Sequence, residues 1–524
     1  MTEQTDFDIT VAPEVRTTAG TVRGLWRAPR GGTGLASAAF LGIPFAEAPV
    51  GPLRFAAPVP HTAWEGVRDA LEMAPTPQRQ TLSEITLIPE PSIEGESTLN
   101  LNVFTPAPAA AASAGLPVMV YIHGGGYTAG SPASPWYDGA AFNRDGVVTV
   151  SISYRLGFDG FGCIDDAPDN RGVLDWLLAL EWVQQNIAAF GGDPARVTIA
   201  GQSAGGGAVL TLLGMEAAQH LFSGVYCISG AVGDVERPRA QQLARRLAEL
   251  AGVPATREGF ASLSEERILE LQQKAQEPAD GPGNPLDMLG RMIAEGLALG
   301  PMIDGALIQR PTLESFSRGV GADKPLVLGA TDDEFSMALD EAKGKLRFIP
   351  KSFMLGKAGL GKVKRKAYFA ANPDVAKRDT AGAVGRYMTD AMFRTAVLKV
   401  TEARESGAAT GTSAASAPTW VYRFSWPSPV FKYAMHCLDV PFFFDCLDSV
   451  RIDALAGANP PQALADELHA EAVAFVSTGV APWPKYTENA RATRVFDLPS
   501  SVIADGYGGV RPLLAQPARE TVSA

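Results

Sequence analysis

One serine lies between two glycines in the pentapeptide 201–205, which reads Gly-Gln-Ser-Ala-Gly. The residues before it, 197–200, form a short apolar run, and the stretch 204–213 after it is typical of the start of a helix. A serine on a sharp turn between a strand and a helix exposes its hydroxyl as a nucleophile, and the helix dipole favours developing negative charge there. The alternative is a small residue in a glycine-rich loop. The strand–turn–helix context favours Ser203 as a nucleophile.

A serine hydroxyl needs a base before it can attack, and the chain contains five histidines. His61 lies in a proline-rich loop, while His220 and His469 lie in helical patterns that are typical of surface or core histidines. His123 begins a glycine-rich motif. His436 lies in a loop-like stretch after the apolar run 420–424, late in the chain, as expected for the order serine, acid, histidine. We therefore predict that His436 is the base.

Three adjacent carboxylates, Asp332, Asp333 and Glu334, follow the apolar run 325–329. One of them would orient the imidazole and stabilise its cation. The other two would be solvated loop acids or helix caps. The chemistry of these residues alone does not choose among the three.

The motif His-Gly-Gly-Gly at 123–126 follows the apolar run 117–122. Three glycines allow backbone N–H groups to approach the oxygen of a substrate carbonyl, and losing one such donor typically costs about 3 kcal/mol of transition-state stabilisation. By itself the motif is equally compatible with a flexible turn. Together with the serine motif it predicts a site for acyl transfer.

The elements that would position these residues alternate along the chain. Near-continuous apolar runs predict strands that are covered on both faces, at 117–122, 147–153, 197–200, 224–228, 325–329 and 420–424. Helical patterns lie between them, most clearly at 172–190. This alternation predicts an α/β fold with a mostly parallel sheet and helices on both faces. Hairpin-like strands at 21–26, 38–45 and 99–104 predict an antiparallel N-terminal edge.

We expect one domain over residues 1–524, with helical insertions at about 233–300 and 339–400 covering the active-site cleft. Two stretches rich in small residues, 106–115 and 406–418, are predicted surface loops. The segment 343–366 carries many lysines and arginines. We interpret it as a solvated helical face rather than as an anion-attracting rim around a cleft.

The composition excludes several classes of function. A net charge of −12 over 524 residues makes nucleic acid and anionic membrane poor partners. The first residues lack the features of a signal peptide, no apolar run is long enough to cross a bilayer, and four cysteines do not make a disulfide framework. We expect a cytoplasmic protein. Because no metal-binding or dinucleotide motif is present in a suitable context, we expect no cofactor.

Further motifs resemble the type-B carboxylesterase family of α/β-hydrolases, which includes the bacterial para-nitrobenzyl-type esterases. The resemblance extends over nearly the whole chain, through residues 40–46 (FLGIPFA), 48–51 (APVG), 53–55 (LRF), 101–106 (LNVFTP), 153–157 (SYRLG) and 186–194 (NIAAFGGDP). It implies an α/β-hydrolase fold and a serine esterase that uses a Ser-His-Glu triad.

The resemblance also implies roles for individual residues. It assigns the acid to Glu334 and places His436 and Asp439 in the histidine loop. The implied oxyanion-hole donors are the N–H groups of Gly125, Gly126 and Ala204. Ser229 matches a serine near the triad. Two ion pairs are implied, Arg54 with Glu96 and Arg155 with Asp175.

The chain departs from the family pattern at four positions. Thr98 stands where many relatives have a cysteine, which implies the absence of a loop disulfide and fits a reducing compartment. Phe335 replaces a glycine and is expected to narrow the site, and Asp439 replaces a glutamate. Gln202 replaces the usual glutamate before the serine, so it can hydrogen-bond near the imidazole without carrying a charge.

We predict hydrolysis of small to medium, mostly apolar esters, by a monomer or a homodimer. A carbamate or amide hydrolase with the same triad is the alternative, and a non-catalytic binding relative is a third reading. The segment 85–95 has no aromatic residue, which argues against a choline-binding site. We expect Tyr127, Phe161 and Phe335 to line the substrate pocket.

Overall fold

The computed structural model describes residues 11–29, 31, 35–106, 108, 115–277, 290, 293–339, 343–410 and 416–514. Most of the predicted loop at 106–115 lies outside these residues. Parts of the predicted loop at 406–418 and of the helical segments 233–300 and 339–400 lie outside them as well.

A large mixed sheet forms the centre of the described structure. The strands, including those of two small sheets, are β1 (Glu14–Arg16), β2 (Thr21–Arg23), β3 (Leu25–Arg27), β4 (Ser37–Pro44), β5 (Val67–Asp69), β6 (Asn100–Thr105), β7 (Leu116–Ile122), β8 (Val148–Ile152), β9 (Gly192–Gln202), β10 (Gly224–Ile228), β11 (Val235–Glu236), β12 (Met302–Ile303), β13 (Leu326–Thr331), β14 (Thr419–Phe424), β15 (Ala492–Phe496) and β16 (Ser501–Ala504).

The large sheet has eleven strands in the order β16-β15-β14-β13-β10-β9-β7-β8-β6-β4-β3. Every pair of adjacent strands within the run from β15 to β8 is parallel. At the N-terminal edge β3, β4 and β6 pair antiparallel, as predicted. The opposite edge is also antiparallel, because β16 turns back along β15. The sequence patterns did not predict this second antiparallel edge.

Helices pack against the sheet. They are α1 (Ser83–Thr86), α2 (Ala140–Arg144), α3 (Gly157–Phe161), α4 (Arg171–Asn186), α5 (Ala204–Leu213), α6 (Arg237–Ala251), α7 (Arg257–Ala261), α8 (Glu265–Gln276), α9 (Thr312–Ser317), α10 (Lys343–Leu346), α11 (Lys351–Lys357), α12 (Lys362–Ala371), α13 (Pro373–Lys377), α14 (Thr380–Thr389), α15 (Thr395–Thr410), α16 (Val440–Phe443), α17 (Ile452–Ala456), α18 (Gln462–Thr478) and α19 (Arg511–Leu514).

The central strands are buried on both faces, which confirms the interpretation of their continuous apolar runs. In β7, Val118, Val120 and Ile122 belong to one hydrophobic core, whereas Met119 and Tyr121 belong to another. Alternate residues of a strand point to opposite faces, so the two cores lie on opposite sides of the sheet. Each side is closed by helices, as an α/β architecture requires.

Strand β9 is longer than predicted. Residues 192–196 give no strand signal, yet Gly192 pairs with Leu116 of β7, and after a register shift the pairing resumes from Val197 to Gly201. Backbone pairing with the neighbouring strand therefore extends β9 beyond its apolar run.

The strand order brings the candidate residues to one edge of the sheet. Strands β7 and β9 are neighbours, and so are β13 and β14. The chain leaves β7 towards β8 on one side and returns to β9 on the other, which makes this position a topological switch point. Ligands bind at such points, beyond the carboxyl ends of the parallel strands.

Candidate active site

Ser203 lies on a sharp turn between β9 and α5, as the motif predicted. Its backbone has φ 58° and ψ −120°, a conformation that a non-glycine residue adopts only where the surroundings hold it. Its N–H donates to the carbonyl of Ile228 at 2.9 Å, and its carbonyl accepts from Gly207 at 2.9 Å. The residues on either side are buried, while Ser203 itself is partly exposed. The turn therefore projects the hydroxyl from the carboxyl edge of the sheet.

The two glycines of the motif are required by close backbone packing. A methyl group at Gly201 would overlap the carbonyl of Gly205, and a methyl group at Gly205 would overlap the carbonyl of Ile122 at the end of β7. These glycines therefore let α5 begin directly against β7 and β9.

His436 and Glu334 meet beside this turn. The Nδ1 atom of His436 lies 2.5 Å from Oε2 of Glu334, and both side chains are buried. Oε1 of Glu334 accepts a hydrogen bond from the N–H of Thr331 at 2.8 Å, and the His436 backbone N–H donates to the Glu334 carbonyl at 2.9 Å. Burial by itself lowers the pKa of His436, but Cys437 and the Glu334 carboxylate outweigh it and raise that pKa well above its usual value.

The other two carboxylates of this loop are held elsewhere. Asp332 accepts hydrogen bonds from Arg394 at 2.7 Å and from Arg423 at 2.6 Å. Asp333 pairs with Arg378 and accepts a hydrogen bond from the hydroxyl of Ser336. Among the three, Glu334 is the one that contacts the imidazole.

Gln202 contacts the other side of the imidazole. Its Nε2 atom lies 3.3 Å from Nε2 of His436 and 3.2 Å from Sγ of Cys437. Within the described part of the chain, the Ser203 hydroxyl makes no hydrogen bond to His436. Of the three predicted triad residues, the structure brings His436 and Glu334 into contact and places Ser203 on the wall of the same cavity. Catalytic hydrogen bonds are often long before substrate binds.

The glycine-rich loop after β7 borders the same space. Gly125 has φ 113° and Gly126 has φ 60°, values that favour glycine. Among the described residues, no hydrogen-bond acceptor faces the N–H groups of Gly125, Gly126 and Ala204. His123 anchors the loop, since its ring stacks on Tyr154 with centroids 4.6 Å apart, and burial lowers its pKa to about 4.

These groups border one cavity of about 470 Å³. Ser203, Ala204, His436 and the loop glycines line it, with a largely apolar remainder that includes Leu82, Ile85, Ile88, Val232, Leu297, Leu313 and Phe393. Of the predicted pocket aromatics, Tyr127 and Phe335 line the cavity. Phe161 does not, because it packs behind Tyr127 with ring centroids 5.1 Å apart.

Two aromatic rings hold the imidazole from the sides. Phe335 stacks on His436 with centroids 5.0 Å apart and an interplanar angle of 25°, and Phe393 lies 5.2 Å from it. Phe393 belongs to a π-helical turn, Asp390–Arg394, which the sequence analysis did not find. Such turns are frequent at functional sites, although no periodicity in the sequence marks this one.

Two residues named from the resemblance lie behind the site. Ser229 follows β10 with φ 48°, and its buried hydroxyl has no partner among the described residues. Asp439 accepts a hydrogen bond from the Tyr422 hydroxyl at 3.3 Å. Burial, together with the charge of Glu334, raises the pKa of Asp439 to about 7.

The implied ion pairs have different outcomes. Arg155 pairs with Asp175 at 2.7 Å, as expected. The pairing of Arg54 with Glu96 is wrong. Arg54 instead pairs with Asp159 of α3 at 2.9 Å, whereas Glu96 is exposed to solvent.

The remaining histidines take no part in the cavity. His61 is partly exposed, and His220 is exposed. His469 is buried between the carbonyl of Phe443 and the carboxylate of Asp145. The structure thus separates these residues from the serine.

A serine turn at the carboxyl edge of a mixed, mainly parallel sheet with helices on both faces defines the class of this protein, the α/β-hydrolases. Residues 11–500 match the model of the carboxylesterase family, and the chain therefore belongs to that family of hydrolases of carboxylic esters.

Individual relatives agree. The chain is 31% identical over 476 residues to the para-nitrobenzyl esterase of Bacillus subtilis (strain 168), which covers 87% of this chain and 90% of that one. It is 30% identical over 469 residues to the fumonisin B1 esterase of Sphingopyxis macrogoltabida, over 85% of this chain and 81% of that one. A crystal structure of a carboxylesterase of Geobacillus stearothermophilus matches with a TM-score of 0.79 and 31% identity, covering 95% of this chain and 99% of that one.

Proposed function

We propose that this esterase uses Ser203 as nucleophile, His436 as general base and Glu334 as the acid that orients the imidazole. The observation that supports this most is the contact of 2.5 Å between His436 and Glu334 on the wall of a cavity that Ser203 also lines. In its neutral form the imidazole donates Nδ1–H to the carboxylate and can accept a proton at Nε2.

The proposed reaction has two steps of acyl transfer. His436 accepts the proton of Ser203 while the serine oxygen attacks the ester carbonyl, and the N–H groups of Gly125, Gly126 and Ala204 stabilise the oxyanion. Protonated His436 then gives its proton to the leaving alcohol. A water molecule, activated by the same imidazole, hydrolyses the acyl-enzyme.

We propose small to medium, mostly apolar esters as substrates. The size of the cavity and its predominantly apolar lining support this choice, because such pockets bind ligands mainly through apolar contacts. The relatives named as esterases are consistent with ester substrates for this chain.

We further propose that the chain is one domain in which the segments 233–300 and 339–400 cover the cleft. Residues 293–297, 391–393, 395 and 396, which belong to these segments, line the cavity. A cytoplasmic location is supported by four cysteines that are all free thiols. The protein would act as a monomer or a homodimer without a cofactor. No helix in the described part of the chain has both the length and the apolar character to span a bilayer.

The nucleophile is tested with a fluorophosphonate probe and with ester turnover. We expect Ser203→Ala to lose labelling and to lower kcat by about a millionfold, with unchanged circular dichroism. Ser262→Ala, at an exposed position of the chain, is the matched control and should label normally. Substantial turnover by Ser203→Ala would exclude this serine as the nucleophile.

The leaving group is tested by comparing kcat/KM for a matched ester, carbamate and anilide. We expect the ester to be preferred. A higher kcat/KM for the carbamate or the anilide would replace the proposed substrate class while leaving the triad intact.

A further inference from the structure

A basic patch lies on residues 343–366, which form α10, α11, the start of α12 and their connections. The segment contains nine lysines and arginines and no aspartate or glutamate, in a chain whose net charge is −12. Positive charge is therefore concentrated in one place on an otherwise acidic molecule.

Most of this charge is not neutralised. Lys343 pairs with Asp379 at 3.2 Å. The ammonium groups of Lys351 and Lys364 donate to backbone carbonyls, which carry no net charge. Among the described residues, no carboxylate pairs with the cations at 345, 347, 357, 362 and 366, and all five of these residues are exposed.

Large apolar side chains stand among these cations. The exposed fractions are 75% for Phe348, 55% for Phe353 and 81% for Val363. Arg347 lies over the ring of Phe348, 4.5 Å from its centroid. On α11 and α12 the apolar side chains share the solvent side with lysines, since Phe353 precedes Lys357 by one turn and Val363 adjoins Lys362.

The helices of the basic patch form one surface next to the active-site cavity. Arg365 of α12 donates to the Ser352 carbonyl of α11 at 2.7 Å, which joins the two helices. Their buried side chains, including Met354 and Leu355, form a core against which Ile293 and Phe335 pack. Ile293 and Phe335 also line the cavity.

We propose that the basic patch binds the surface of an anionic lipid bilayer, although the net charge of the whole chain predicted a poor partner there. Cations alone would suit any polyanion, but exposed phenylalanine and valine side chains gain free energy only where they leave water, as at the boundary between headgroups and acyl chains. Lysines and arginines around them attract the anionic headgroups. The acidic remainder of the chain is repelled, so the protein binds in one orientation, with the cavity beside the bilayer.

The test is sedimentation of the full chain with vesicles of phosphatidylcholine, with and without phosphatidylglycerol. We expect binding only when phosphatidylglycerol is present, and we expect it to weaken with added salt. The double variant Lys357→Glu/Lys362→Glu should bind at least about tenfold more weakly. The variant Phe348→Ser/Phe353→Ser should also bind more weakly while retaining the charge.

Two controls separate this surface from general charge and from catalysis. Arg245→Glu/Arg246→Glu on α6 changes the net charge equally and should leave vesicle binding almost unchanged. All variants should hydrolyse a water-soluble ester at the wild-type rate. The proposal would be overturned if the α6 control lost binding equally, or if Phe348→Ser/Phe353→Ser bound vesicles as tightly as the wild type. Binding to soluble polyglutamate but not to vesicles would overturn it as well.

Discussion

The amide of Gln202 lies against the ring of His436. The two Nε2 atoms are 3.3 Å apart, so the amide donates to a neutral imidazole without adding charge. This contact and the 2.5 Å contact with Glu334 lie on opposite ring nitrogens. Gln202 therefore adds no negative charge to that of Glu334 at the imidazole.

A glutamate at position 202 should raise the pKa of His436, because a negative charge near the ring stabilises its cation. The base must be neutral to accept the serine proton, so activity appears only as pH rises through that pKa. We expect Gln202→Glu to move the acidic limb of the kcat/KM profile to higher pH by about one unit. Gln202→Met, which adds no charge, is the control, and an unchanged limb in the glutamate variant would contradict the prediction.

The three consecutive carboxylates allow a second test at the level of single residues. Glu334→Gln should lower kcat by about ten-thousandfold and leave the thermal unfolding midpoint almost unchanged, because it removes the charge that stabilises the imidazolium. Asp332→Asn should do the reverse, costing about 3 kcal/mol of stability, because Arg423 loses the carboxylate with which it pairs and the buried Arg394 keeps only Asp390. If both variants lost activity and Asp332→Asn kept the stability of the wild type, the assignment of catalysis to Glu334 and of stability to Asp332 would be wrong.

Helix α5 and strand β7 fix the geometry of the site at the scale of elements. The first turn of α5 carries Ser203 and Ala204, and β7 leads directly into the glycine loop. Their contact passes through Gly205, which faces the carbonyl of Ile122 with no room for a side chain. The nucleophile and the proposed oxyanion donors are therefore positioned by one backbone contact.

A methyl group at Gly205 should push α5 away from β7. We expect Gly205→Ala to lower kcat/KM by at least about tenfold and to destabilise the fold by about 2 kcal/mol, since overpacked backbone must shift. Gly344→Ala in α10 is the matched control, because a methyl group there meets nothing within 4 Å. Wild-type kcat/KM in Gly205→Ala would show that the contact is not required.

Asp439 links the site to the stability of the whole molecule. It is buried, and its pKa is raised to about 7, above the usual value of an aspartate. The folded state therefore binds a proton that the unfolded chain has lost between about pH 4 and pH 7. Stability conferred by the protonated form is present at low pH and is lost as pH rises through this window.

Asp439→Asn removes this titration. We expect the stability of the variant relative to wild type to increase from pH 4 to pH 7 by up to about 4 kcal/mol and to change little above pH 7. Thermal unfolding midpoints across this pH range provide the measurement. Asp453→Asn, at an exposed position, should show no such trend. A stability difference between Asp439→Asn and the wild type that did not change with pH would be evidence against a buried titrating carboxyl.

The sequence by itself determined which residues could react and which strands would be central. Continuous apolar runs predicted the parallel core because strands covered on both faces must be apolar throughout. Glycines at 124, 125, 201 and 205 are the residues that close backbone packing permits. These features depend on residues that are close in sequence, so sequence patterns can predict them.

Contacts between residues that are distant in sequence could be assigned only from the tertiary structure. The chemistry of the residues could not choose among Asp332, Asp333 and Glu334, because the choice rests on where three arginines and His436 lie. The same reason applies to the pairing of Arg54 with Asp159 and to the packing of Phe161 behind Tyr127. Which side chains meet across a fold is a property of the packing, and no local pattern records it.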